Sequence, residues 1–76
     1  MVRAYVLIDM TAGYARGLVE SLCNKQGIVG ISRVTGPYDV VVMIEGEDIN
    51  TLSEFVSNEI HTMSGVVRTT TCVTLG

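Results

Sequence analysis

The sequence predicts an α+β domain in which a four-stranded antiparallel sheet carries two helices on one face. Three features lead there: a strict apolar alternation near the amino end, two stretches of helical periodicity each closed by glycine, and β-rich runs between and after them. Arg3 to Met10 places Ala4, Val6, Ile8 and Met10 on one side and Arg3, Tyr5, Leu7 and Asp9 on the other, which is the period of a strand. After Thr11 and Gly13, the residues Ala15, Leu18, Val19, Leu22 and Cys23 recur at helical spacing, and Gly27 supplies the stop. Ile28 to Thr35 is β-rich, Gly36, Pro37, Tyr38 and Asp39 are turn formers, and Val40 to Ile44 is unbroken apolar chain. Together these make a hairpin whose second arm is central in the sheet. Asp48 caps a second helix with Ile49, Leu52, Val56, Ile60 and Met63 along one face, and Gly65 ends it. Val66 to Leu75 then closes the chain as a threonine-rich strand. The order β-α-β-β-α-β with right-handed crossovers is the ferredoxin-like plait.

Seventy-six residues make one domain, spanning 1–76, and a chain of this size buries only roughly 60% of its unfolded surface. Yet 47% of the residues are hydrophobic and 17% charged, which excludes disorder and favours self-association. The excess has a definite place. Tyr5 and Leu7 on the first strand and alternate members of Val40 to Ile44 point away from the helices, onto a sheet face with no cover. Burying such side chains stabilises by about 1.5–3 kcal/mol each, so three or four per subunit outweigh the rigid-body entropy of pairing. A sheet-against-sheet dimer is the expectation.

The net charge of −3, with acidic residues scattered, argues against direct nucleic-acid binding. No apolar run is long enough to span a bilayer, and the first ten residues lack the order of a signal peptide, so a cytoplasmic protein is expected. Cys23 and Cys72 sit singly and read as small buried apolar residues, with neither a metal site nor a cofactor predicted. No enzyme is expected. His61 has no nucleophile and carboxylate at a suitable spacing, Glu45, Glu47 and Asp48 read as capping and solvation, and the glycines form no phosphate-cradling loop. Two segments stand out chemically. Thr35 to Asp39 joins turn amides, a phenol and a carboxylate, and Thr69, Thr70 and Thr71 put hydroxyls on both faces of a strand.

Ile31 to Asp39, the apolar strand after it, Asp48 opening a helix, and Met63 to Thr71 together resemble the effector-binding domain of the Lrp/AsnC (feast/famine) regulators. The resemblance covers essentially the whole chain. Its most specific parts are V-T-G-x-Y-D, filled by Val34 to Asp39, and a G-V-x-x-T-x-T-like sequence that starts at Gly65. It implies the same plait, paired through its sheets, with dimers assembling into rings and a free amino acid held between neighbouring dimers. Carried over, Gly36, Tyr38 and Asp39 form the turn side of that pocket and Thr69 and Thr71 the strand side. Asp39 can receive an α-ammonium, while turn amides and threonine hydroxyls can hold an α-carboxylate, at about 1.5–3 kcal/mol per charge-assisted bond. Arg33 and Arg68 are lower-ranked carboxylate partners. Typical members carry a helix-turn-helix before this module and the chain begins at the module's first strand, so it resembles the stand-alone members, which sense an amino acid or modulate a full-length regulator by mixed assembly.

Two other classes share the plait. A small dimeric enzyme of the monooxygenase or isomerase type would need a proton-transfer residue facing a cavity, with His61 and Tyr5 the only candidates. A purely structural partner module would keep the seam between dimers and hold no small molecule there.

Overall fold

The computed structural model describes residues 1–75. It runs β1 (Val2–Met10), α1 (Ala15–Leu22), β2 (Ile28–Arg33), β3 (Val40–Gly46), α2 (Ile49–Phe55) and β4 (Val66–Val73), with a π-helical segment, Val56–Ile60, continuing α2. The sheet order is β2-β3-β1-β4 and every pairing is antiparallel, which is the ferredoxin-like α+β fold. Alternation on the two central strands sets the layers. Ala4, Val6, Ile8 and Met10 from β1 meet Val40, Val42 and Ile44 from β3 on the helix side, all buried. Leu18 and Leu22 of α1, with Leu52, Val56 and Ile60 of the second helical stretch, close that core from above.

The second helical stretch changes pitch for a packing reason. Leu52, Val56 and Ile60 recur every four residues, whereas an α-helix repeats every 3.6 and so rotates such a row off the core. Wider turns with i→i+5 bonds, such as that from the His61 amide to the Val56 carbonyl (2.9 Å), rotate it back. Two glycines make room for this layer. A Cβ on Gly46 would lie 2.9 Å from Leu52 Cδ2, and one on Gly65, whose φ is +86°, would strike the Tyr14 side chain.

Three expectations are corrected. Ile49 is 56% exposed, because it occupies the first turn of α2, ahead of the row that meets the sheet. Cys23 is exposed: Leu18 and Leu22 take the buried stripe of α1, and Cys23 lies one step further round, its Sγ directed at the Glu20 carbonyl. Cys72 is exposed because it stands opposite Tyr5 on the helix-free face.

That face has an apolar middle and charged ends. Tyr5 lies between Met43 and Cys72, and Leu7 between Val41 and Thr70. At one end Arg3 pairs with Glu45, and at the other Arg68 reaches Asp9 at 3.4 Å. No helix of the described residues is long and apolar enough to cross a membrane.

Asp48 caps α2 as the sequence predicts, its Oδ1 accepting from the Thr51 amide (2.8 Å) and hydroxyl (2.9 Å). The backbone amide of Thr51, then its hydroxyl, hold the Asp48 carboxyl below its ordinary value of 3.8. A depressed folded value makes the cap's charge-dependent contribution complete above the unfolded value, and it is lost as pH falls through the folded one. Asp48→Ala should therefore lower Tm at neutral pH. Asp48→Asn, which keeps the acceptor, should show a smaller deficit that is constant from about pH 7 to about pH 5 and shrinks below about pH 4, read by thermal melts across that range.

Candidate functional site

The β2–β3 turn is tied down at both of its sides. The Val34 amide donates to the Asp39 carbonyl (2.9 Å), and between them Gly36 takes a φ of +117° that only glycine adopts without strain. Asp39 then straps the turn to the end of β1. Its amide donates to the Ile8 carbonyl (2.9 Å), and its Oδ2 accepts from the Met10 amide (2.8 Å). The β1–β4 register slips between Asp9 and Met10, and the carboxylate of Asp39 meets the amide at that slip. With the turn thus bent over β1, Tyr38 reaches the far strand, its hydroxyl 3.4 Å from Thr70 Oγ1.

Thr69 and Thr71 stand on the other face of β4. They pair with Ile8 and Val6, whose side chains enter the core, so both threonines look toward the helix layer at an open sheet edge. There Thr69 Oγ1 is hydrogen-bonded to Nε2 of His61, the residue that follows the π-helical segment. His61, Val66, Val67, Arg68 and Thr69 line a recess of about 390 Å³. Arg68 is engaged with Asp9, and Arg33 stands on β2, at the opposite edge of the sheet.

Of the residues the sequence singles out, the structure gathers Gly36, Tyr38 and Asp39 in one turn at the same end of the sheet as Thr69. It places Thr69 and Thr71 across β4 from the face Tyr38 touches. Two neighbours join them that sequence reasoning does not name as site members: Thr70, which the period-two alternation of β4 marks as the threonine on Tyr38's side, and His61. His61 enters the sequence reading only as a proton-transfer candidate of the enzyme alternative, and no sequence signal joins it to Thr69, because that approach depends on the π-helical pitch. His61 and Tyr5 lie on opposite faces of the sheet and share no cavity. A larger groove, about 510 Å³, opens at the other end of the sheet between α2 and the starts of β2 and β1. It is mostly apolar; of its polar side chains, Glu45 and Thr51 are already bonded to Arg3 and Asp48, while Gln26 and Glu47 also stand on its wall. No cluster of metal-ligating side chains occurs among the described residues.

The fold is a ferredoxin-like plait with one bare sheet face and a strapped, glycine-containing β2–β3 turn, and the family match gives its class, a ligand-binding domain. The chain belongs to the Lrp/AsnC ligand-binding domain family, whose family model matches residues 3–76. Among solved structures it is similar to FFRP-DM1 (28% identity, TM-score 0.93, covering 99% of this chain and 100% of that one). It is likewise similar to a protein of Thermus thermophilus (30% identity, TM-score 0.93, covering 100% and 95%). A transcriptional regulator of Neisseria meningitidis, solved as a complex with L-Met, shares the fold at 21% identity and a TM-score of 0.87; the match covers 99% of this chain and 50% of that one. No curated protein matches the chain.

The strap separates two roles of Asp39. Asp39→Ala removes the acceptor for the Met10 amide and should destabilise the fold by about 1–3 kcal/mol, whereas Asp39→Asn keeps an acceptor oxygen and should cost less than half of that, measured by urea unfolding.

Proposed function

We propose that this domain binds a free amino acid where sheet-paired dimers meet, and that occupancy shifts the assembly or, through mixed assembly in the cytoplasm, a full-length regulator. One observation supports the reading: the Asp39 strap holds the turn amides and Tyr38 against the end of β1, where Tyr38 meets Thr70 on one face of β4 and Thr69 stands on the other. This rim of the sheet is an edge strand and a turn, so it is the part of the molecule a neighbouring dimer can reach once the helix-free faces are paired.

The two halves of the pocket come from different protomers. Gly36, Tyr38 and Asp39 act from one side, while Thr69 and Thr71, on the helix side of β4, act from another. An α-ammonium has the Asp39 carboxylate, whose Oδ1 is outside the strap, and an α-carboxylate has turn amides and threonine hydroxyls. The family membership and the L-Met complex of the Neisseria regulator support an amino acid as the effector class. Contacts of this kind at a partly open seam suit affinities of micromolar to millimolar. Ligand shifts assembly because the pocket is complete only where dimers adjoin, which gives the assembled state the higher affinity.

The test is light scattering with thermal melts while each common amino acid is titrated to millimolar concentration. At least one should raise both the mass and Tm, and Tyr38→Phe or Asp39→Asn should weaken that response roughly ten-fold with the dimer intact. If no amino acid changes either quantity, the proposal is wrong.

A further inference from the structure

The hydrogen bond between His61 and Thr69 decides what the neighbouring recess can hold. A threonine hydroxyl has one proton to donate and two lone pairs to accept with. If Nε2 of His61 were the acceptor, it would consume that proton, and the recess would meet only lone pairs. If Nε2 carries hydrogen, Thr69 Oγ1 accepts from it and its own proton is released for a third partner. The surroundings permit the second arrangement. His61 is exposed and no protein group among the described residues bonds its Nδ1, which leaves that nitrogen to water. No such group holds hydrogen on Nδ1, so the tautomer with hydrogen on Nε2 is available to donate, and the imidazolium donates from the same atom.

The geometry points to the His61–Thr69 pair as a carboxylate-binding element: His61 donates to Thr69 Oγ1, and the Thr69 hydroxyl donates to a carboxylate oxygen in the recess of about 390 Å³ beside them. The hydroxyl is held for this. Thr69 is half-buried on a strand paired to Ile8, its χ1 is restricted by β-branching, and the donated bond from His61 selects the direction in which its proton turns. The π-helical segment supplies the other half, since its wider turns deliver His61 to β4. His61 is therefore a positioning residue acting through Thr69. As the source of the carboxylate this assignment takes the α-carboxylate of the effector, and so rests on the reading above.

The test uses ¹⁵N-labelled protein and acetate, the simplest carboxylate, followed at the Thr69 amide, beside calorimetry with whichever amino acid gives the largest thermal shift. Wild type should show a saturable acetate shift at Thr69. His61→Gln, whose amide nitrogen can still donate to Thr69, should stay within about two-fold of it, whereas His61→Leu and Thr69→Val should each weaken binding by about ten-fold. The double variant should be no weaker than either single one, because the two act as one unit. Acetate and amino-acid affinities unchanged in His61→Leu, or lost equally in His61→Gln, overturn the inference and leave the sensor reading standing. Acetate binding at the pair with no response to any amino acid overturns the sensor reading alone.

Discussion

A four-stranded sheet with helices on one side only has a second side to account for, and here the central strands make that side apolar. Strict alternation sends Val6, Ile8, Val42 and Ile44 into the core and, from the same strands, Leu7, Val41, Met43 and Tyr5 outward. Neither set can be changed in register without disturbing the other, since a one-residue slip exchanges them. The outward set is framed by Arg3–Glu45 and Asp9–Arg68, so its ends are charged while its middle is largely apolar. A surface of that composition is best satisfied by its own copy, where apolar middle meets apolar middle. The proposed function begins from this proposed pairing, because it would leave the rim of the sheet as the surface through which dimers could adjoin.

At that rim the structure places unusually constrained chain. Asp39 uses both its amide and its carboxylate on β1, so the turn carrying Gly36 and Tyr38 is held against the sheet. A turn so held would lose little entropy on ordering around a small ligand, and this would favour the proposed recognition of an effector by few contacts. The same economy applies on the other face of β4, where His61 and Thr69 already hold each other. A ligand seated between these two prearranged halves would link protomers, and its free energy of binding would appear as a change in assembly.

Much of the fold is legible in the sequence because strand periodicity is short and clean. The alternation of β1, the apolar run of β3 and the glycines after each helix specify the order and the layers, and Asp48 is recognisable as a cap. Burial at element ends is not legible. Ile49 and Cys23 fit the helical pattern, yet each lies beyond the two or three residues that touch the sheet. Cys72 differs in kind: its exposure follows from the uncovered face that the pattern itself predicts. Of the candidate site, the turn can be named from its residue types, but the strap from Asp39 to Met10 is a long-range contact that no local pattern encodes. His61 is hidden from a reading that gives the second helix ordinary pitch, since the π-helical turns that swing it to Thr69 arise from packing a four-residue repeat against the sheet.

The pairing of helix-free faces is open to one direct measurement, sedimentation equilibrium of the purified chain at micromolar concentration, with Leu7→Asp run beside it. The account predicts the mass of a dimer or a whole-number multiple of dimers for the wild type, and a shift toward single chains, still folded by circular dichroism, for the variant. A wild type that sediments as one compact 8.2 kDa chain at that concentration would contradict it.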